Sequence, residues 1–291
     1  MKTLLVVLAL AALAQAWTNT PTMIITRIAE KDLEQTDPKA LSMAKEMLKA
    51  IDEFSGAGEN TFVDGSVFIR AQDEAGFSLT SKWGYEFEPY FDGVPEKDTD
   101  DHAKFNLLDT VGMSQATVDT NSNSRINPAF GKSLSLRYVL NQVGNIHQPM
   151  RNIVRYSNQF PNGDNFGKDH KISIGGFKTL FDYFEGAAGQ YKELSYPLTD
   201  LKTLDSYVDK LIADYPKSEF GSAVTNIEKR TWSQESYDIA VKHAYTLTSN
   251  DEEVKDAINR QLVLAGYRLS GNVAYMMSKQ KMNKFQELFK S

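Results

Sequence analysis

The longest run of helical apolar spacing in this chain extends from Asp251 to Met277, where Val254, Ile258, Leu262, Ala265, Leu269 and Val273 recur on one side. That spacing matches an amphipathic helix and not the two-residue period of a strand. The same pattern returns elsewhere. Asp37-Pro38 supplies an N-cap and first-turn pair, followed by Leu41, Ala44, Met47, Leu48 and Ile51 until Gly56 and Gly58. Leu134, Tyr138, Val139, Val143 and Ile146 form a stripe ended by Pro149, and Leu201, Leu204, Val208, Leu211 and Ile212 form another before Pro216. Tyr237, Val241, Ala244 and Leu247 mark a further helix. Strand signals are confined to an alternation over Thr61 to Ile69 and a short segment, Lys171 to Ile174. Asn121 to Ser124, Phe160 to Asn165 and the acidic run Glu96 to Asp101 read as solvated loops. Such a chain buries helix faces against helix faces, so the expected class is all-α, mainly helical, in a single domain with at most a short β element.

Residues 1–16 read as a secretory signal peptide. Lys2 gives the positive start, Leu4 to Ala14 the apolar stretch, and Ala14-Gln15-Ala16 a small-x-small cleavage site. The apolar stretch is short of the roughly 20 residues that span a bilayer, and no second run of spanning length follows. The expectation is a secreted protein, or one in a secretory-pathway lumen (extracellular, lysosomal or vacuolar), beginning at Trp17. The full sequence's formal charge of −6 gives no broad electrostatic reason to hold long nucleic acid, whose phosphates reward a basic surface. The chain has no cysteine, which excludes disulfides, thiolate catalysis and thiolate metal sites.

Little catalytic chemistry is visible from motifs alone. The four histidines, His102, His147, His170 and His243, form no i, i+3 or i, i+4 pair. There is no H-E-x-x-H, no Walker loop and no G-x-S-x-G. Trp83 and Trp232 read as packing residues.

The segment Val139-Leu-Asn-Gln-Val-Gly-Asn-Ile-His-Gln-Pro-Met-Arg151 resembles the central signature of the S1/P1 zinc nucleases, H-x-x-G-D-I-H-Q-P-L-H. Four further stretches follow in the family's order. Phe160-Pro-Asn-Gly-Asp164 with Gly167 is similar to the glycine-rich loop, and Thr179 to Glu185 to the N-L-H-x-x-W-D helix start. Trp232-Ser-Gln-Glu-Ser236 is similar to W-x-x-E-S, and Leu264 to Leu269 to A-G-x-R-L. Trp17 stands where family members begin after signal cleavage. The resemblance is collinear over nearly all of residues 17–291, which it identifies as one S1/P1 nuclease-like domain with the phospholipase C/P1 nuclease-like fold.

The resemblance implies a chemistry of three zinc ions, held by an N-terminal Trp, five histidines and three aspartates. Zinc lowers the pKa of bound water from 15.7 to about 7 and clamps phosphoryl oxygens, which cleaves phosphodiesters in single-stranded DNA or RNA. Carried over residue by residue, the ligand positions are Trp17, Thr22, Tyr85, Asn106, Asn141, Asn145, Arg151, Phe181 and Glu185. Only Trp17 and Glu185 remain as metal-ligand candidates. Phe181 has no lone pair, and Arg151 brings a permanent positive charge where a cation belongs. His147 and Asp109 match family positions beside the ligands.

The expectation is therefore a catalytically inactive protein on the nuclease fold, with no cofactor. Its former active-site cleft is left to bind a nucleotide, a single-stranded nucleic acid or a protein partner. Asn141, Asn145 and Arg151 are expected to replace the metals by a polar network with Asp109 or Glu185. The alternative is an active endonuclease with a metal site rebuilt from Trp17, Asp109, His147, Asp164, His170 and Glu185.

Overall fold

The computed structural model describes residues 17–51, 61–74, 76, 78–99, 105–119, 128–247 and 252–280. The expected signal peptide, Gly56 and Gly58, His102, the loop Asn121 to Ser124 and Asp251 lie outside them. The described helices are α1 (Asn19–Thr36), α2 (Pro38–Leu48), α3 (Asp64–Glu74), α4 (Leu107–Asp119), α5 (Pro128–Ile146), α6 (Leu180–Glu185), α7 (Leu201–Asp214), α8 (Lys229–Ile239) and α9 (Glu252–Ser278). Strands are few: β1 (Pro89–Phe91) pairs in parallel with β2 (Val154–Tyr156), and β3 (Lys171–Ile174) pairs antiparallel with β4 (Phe177–Thr179). The mainly helical expectation holds.

Local chemistry starts these elements where the sequence marks them. The Asp37 side chain accepts from Ala40 N at 2.9 Å, with Pro38 following it in the first turn of α2. Asp200 accepts in the same way from Thr203 N and opens α7. Thr179 accepts from Asp182 N and opens α6. Gly175 and Gly176, both at positive φ, make the two-residue turn of the β3–β4 hairpin.

The segment from Thr61 to Ile69 departs from the alternation read in its sequence: from Asp64 onward it is helix α3. Thr61 and Asp64 form a reciprocal cap, with Asp64 N donating to Thr61 Oγ1 at 3.0 Å and Thr61 Oγ1 donating back to Asp64 Oδ2 at 2.5 Å. That cap outweighs the strand preference of Val63, Val67 and Ile69.

Helix α1 lies in the middle. Every residue from Thr20 to Thr26 is buried, and α9 packs along it, with α2, α3 and α7 on other sides. Among the described residues no helix is long and apolar enough to cross a membrane. The α1–α9 contact rests on Gly266, where a Cβ would stand 2.6 Å from Ile28 Cβ and 3.0 Å from the Ile25 carbonyl oxygen. No rotamer relieves contact with backbone. Gly266→Ala is expected to lower the unfolding free energy in urea by about 1–3 kcal/mol through overpacking, although alanine is the better helix former. An unchanged or stabilised protein would show that the helices are not in this register.

Candidate functional site

One buried cation organises the site. Arg151 ends the 3-10 turn Pro149–Arg151 that follows α5, and its side chain is 1 % exposed. Nε and Nη2 both donate to Glu185 Oε1, at 3.1 and 2.5 Å, and Nη1 donates to the Gly84 carbonyl at 2.9 Å. The guanidinium carbon lies 4.5 Å from the Tyr85 ring centroid and 5.3 Å from that of Phe181. Aromatic faces stabilise a desolvated guanidinium through the ring quadrupole. Gly84 lets the guanidinium approach its carbonyl, since a Cβ would stand 2.9 Å from Arg151 Nη1 and 3.3 Å from Asn145 Nδ2 and would displace them.

The other carried-over positions meet around this pair. Asn145 Nδ2 donates to Asn141 Oδ1 at 3.1 Å and to Gln142 Oε1 at 2.5 Å, while Asn141 Nδ2 donates to the Ser66 carbonyl at 2.9 Å. Trp17 is fully buried and donates through Nε1 to the Gly144 carbonyl at 3.0 Å. Its own carbonyl accepts from Thr22 Oγ1 at 2.9 Å and from Arg70 Nη1 at 3.4 Å. Thr18 N donates to the main-chain oxygen of Glu185 at 2.9 Å. Asn106 joins one step away, since its Nδ2 donates to Glu86 Oε1 at 3.2 Å and Glu86 N donates to the Arg151 carbonyl at 2.8 Å.

A second cation, not singled out in the sequence, stands beside the first. Lys168 Nζ donates to the Tyr85 hydroxyl at 2.8 Å and lies 4.4 Å from the Tyr85 ring centroid and 4.7 Å from that of Phe181. Phe166 closes this aromatic wall, 4.6 Å from Tyr85. Phe166 and Asn165 are both in the left-handed region, at φ 59° and 54°, a conformation costing about 1–3 kcal/mol per non-glycine residue. The loop is held from beneath by Asp164, which accepts from Arg155 N at 3.0 Å and from the Tyr245 hydroxyl at 2.8 Å. The only sequence signal for Lys168 was its place directly after Gly167 of the glycine-rich loop.

Burial sets the ionisation of the cluster. It pushes the Glu185 carboxyl up to about 7, against the pull of Arg151. It pushes the Lys168 ammonium down to about 8, with the neighbouring charge of Arg151 acting the same way. Glu86 is also pushed up to about 7 by burial.

The residues of the alternative, rebuilt metal site are not brought together. His147 is fully buried, with Nδ1 at 2.7 Å from the Val143 carbonyl and Nε2 at 3.0 Å from Arg268 Nη1. Arg268 keeps Nε2 an acceptor, so the ring is neutral with its proton on Nδ1; burial, then the Arg268 charge, push its pKa down to about 3. Arg268 is in turn held bidentately by Glu235 and lies over the Trp232 ring. Asp109 does not reach Arg151: it accepts from Asn106 N while its own N donates to Asn106 Oδ1, a cap on α4. Asp164 is taken up by its loop, and His170 lies between the Phe160 and Tyr245 rings. Among the described residues no three His, Asp or Glu side chains are grouped as a metal ion requires.

The ion pair can be tested by a mutant cycle. Arg151→Met is expected to cost about 3–5 kcal/mol, because it strands a buried carboxylate, and Arg151→Met with Glu185→Leu to recover most of that loss. The single-variant deficit should grow as pH rises above about 7, where the Glu185 carboxyl paired with Arg151 ionises while the unpaired one in the variant still holds its proton. A raised folded pKa means the native state holds the extra proton at low pH and must lose it at high pH. A deficit below about 1 kcal/mol at pH 8 would contradict the pairing.

The chain matches the family model described as S1/P1 Nuclease over residues 17–278. No curated protein matches it.

Proposed function

The chain belongs to the S1/P1 nuclease family, and from that premise we infer that it is a member without nuclease activity, in which side-chain cations stand in for the zinc ions. The observation that carries this reading is the position of Arg151. Its guanidinium lies on Glu185, the one carboxylate left among the nine carried-over ligand positions. Lys168 adds a second positive centre next to it. A zinc ion placed among them would meet like charge and find amides, a hydroxyl and aromatic rings where imidazole and carboxylate donors are needed. The donor set does not fit zinc.

The same residues favour a binding role for the cleft. Lys168 has donors to spare beyond its bond to Tyr85, and Phe166 offers a half-buried ring beside it. Ammonium and aromatic surface together suit a phosphate-bearing nucleotide or a short single strand, held without being cut. The leader read in residues 1–16 supports secretion.

The test is elemental analysis of the purified chain for zinc, with digestion of single-stranded DNA on the same sample with and without chelator. The expected outcome is near-zero zinc and no chelator-sensitive cleavage. Two or three zinc ions per chain with cleavage that a chelator abolishes would sink the reading. Separately, Lys168→Met is expected to weaken binding of a short oligonucleotide several-fold at low salt, whereas unaltered binding would remove the cleft as the site.

A further inference from the structure

Three consecutive residues lead into Lys168 at positive φ: Asn165 at 54°, Phe166 at 59° and Gly167 at 78°. Only the glycine adopts that region without strain. Two bonds pin the left-handed run in place, from Lys168 N to the Asn165 carbonyl at 3.1 Å and from Phe181 N to the Gly167 carbonyl at 3.3 Å. This constrained path sets the position of one amine. Lys168 Nζ stands 4.4, 4.7 and 6.0 Å from the ring centroids of Tyr85, Phe181 and Phe166, and the residue stays part-exposed.

That amine is short of the groups that hold a lysine protonated. Among the described residues it forms no ion pair. Glu185, Asp169 and Asp182 act on it from a distance, while Arg151, beside the same two rings, opposes its charge. Its bonded partner is the neutral hydroxyl of Tyr85, at 2.8 Å. With its pKa pushed down to about 8, a useful fraction carries a free lone pair near neutral pH, as desolvated lysines beside a second cation do. Lys132 is also withdrawn from water, but it is 2 % exposed and its Nζ is closed in by the Val118 carbonyl and Gln280 Oε1. Lys168 joins a withdrawn amine to a route from solvent and to a hydroxyl within proton-transfer reach.

We propose that Lys168 is a nucleophilic amine that condenses with a small aldehyde, with the Tyr85 hydroxyl as its proton-transfer partner and the Phe166 ring beside the aldehyde's apolar body. The inference rests on the reading of this cleft as one without zinc. In the step, the Nζ lone pair forms the C–N bond while the carbonyl oxygen takes a proton from Tyr85, which recovers one from Nζ. The carbinolamine then loses its oxygen as water. That water leaves with both hydrogens of the neutral amine, and a C=N bond remains. Nothing is oxidised or reduced, and Tyr85 ends as it began.

Reductive labelling of the full chain with benzaldehyde and cyanoborohydride, on protein already assayed for zinc, tests the proposal, with the adducts located by peptide mass mapping. One benzyl group is expected at Lys168, formed several-fold faster at pH 7 than at the exposed lysines. Its rate should level off above about pH 8 while theirs still climbs. Lys168→Arg, which keeps the positive charge, should remove the fast phase. Tyr85→Phe, which keeps the ring, should slow that phase several-fold without lowering Tm. The proposal is overturned by labelling spread evenly over the lysines, by a Lys168 rate that climbs through the ordinary lysine range with the rest, or by a fast phase that survives Lys168→Arg. A fast phase unchanged in Tyr85→Phe overturns the part given to the hydroxyl. Failure to label zinc-free protein sinks this inference alone, whereas bound zinc sinks the reading of the cleft beneath it.

Discussion

A guanidinium withdrawn from water needs a counter-charge, and the contact between Arg151 and Glu185 supplies it at the centre of this molecule. The pair ties three chain segments together: the turn after α5, the end of α6, and the Gly84 loop whose carbonyl takes the remaining donor. Each accompanying feature follows from accommodating it. Gly84 has no Cβ because Nη1 occupies that space. Tyr85 and Phe181 present their faces to the cation. Asn145 and Asn141, without charge, fill the adjoining polar volume by bonding to each other and to the main chain. In the zinc enzymes that the chain resembles, metal–ligand bonds would join these same segments, and structural zinc contributes about 10–16 kcal/mol to folding in small domains. Here hydrogen bonds, cation–π contacts and packing hold them.

The family motifs fall into two physical groups. Several of those that remain build one interior cluster: His147 of the central signature, Trp232, Glu235 and Ser236 of the W-x-x-E-S element, and Arg268 of the C-terminal helix. Arg268 is the hub, gripped by Glu235, bonded to His147 and stacked over Trp232, while Ser236 bonds the Ile146 carbonyl at 2.6 Å. These contacts lock α5, α8 and α9 together and touch no reacting group. Most of the motif positions that differ are ones that the resemblance assigns to metal, and Met150, Thr179 and Phe184 differ beside them.

Much of this was legible in the sequence. The stripes of α2, α5, α7 and α9, the cap at Asp37 and the short strand Lys171 to Ile174 follow from spacing and local chemistry. Helix α1 was harder to read from periodicity because its first half, Thr20 to Thr26, is buried all round, and its threonines at 20, 22 and 26 look like a solvent face while they bond internally. The reversal at Thr61 to Ile69 came from β-branched residues that a cap placed in a helix. At the site, the replaced positions were nameable one by one, but not the pairing. Glu185 and Asp109 were equal candidates for Arg151 until folding placed Asp109 in a cap. Lys168 was invisible because nothing in its local sequence states that the loop turns it onto Tyr85 and Phe181.

In the proposed reading an organic cation, and not zinc, occupies the heart of this cleft. It is met most directly by a crystal grown with zinc in the medium and measured on both sides of the zinc absorption edge. The account predicts continuous guanidinium density on the Glu185 carboxylate and no anomalous peak among Trp17, Asn145, Arg151 and Glu185. An anomalous peak bonded to Glu185, with the Arg151 side chain turned away, would contradict it.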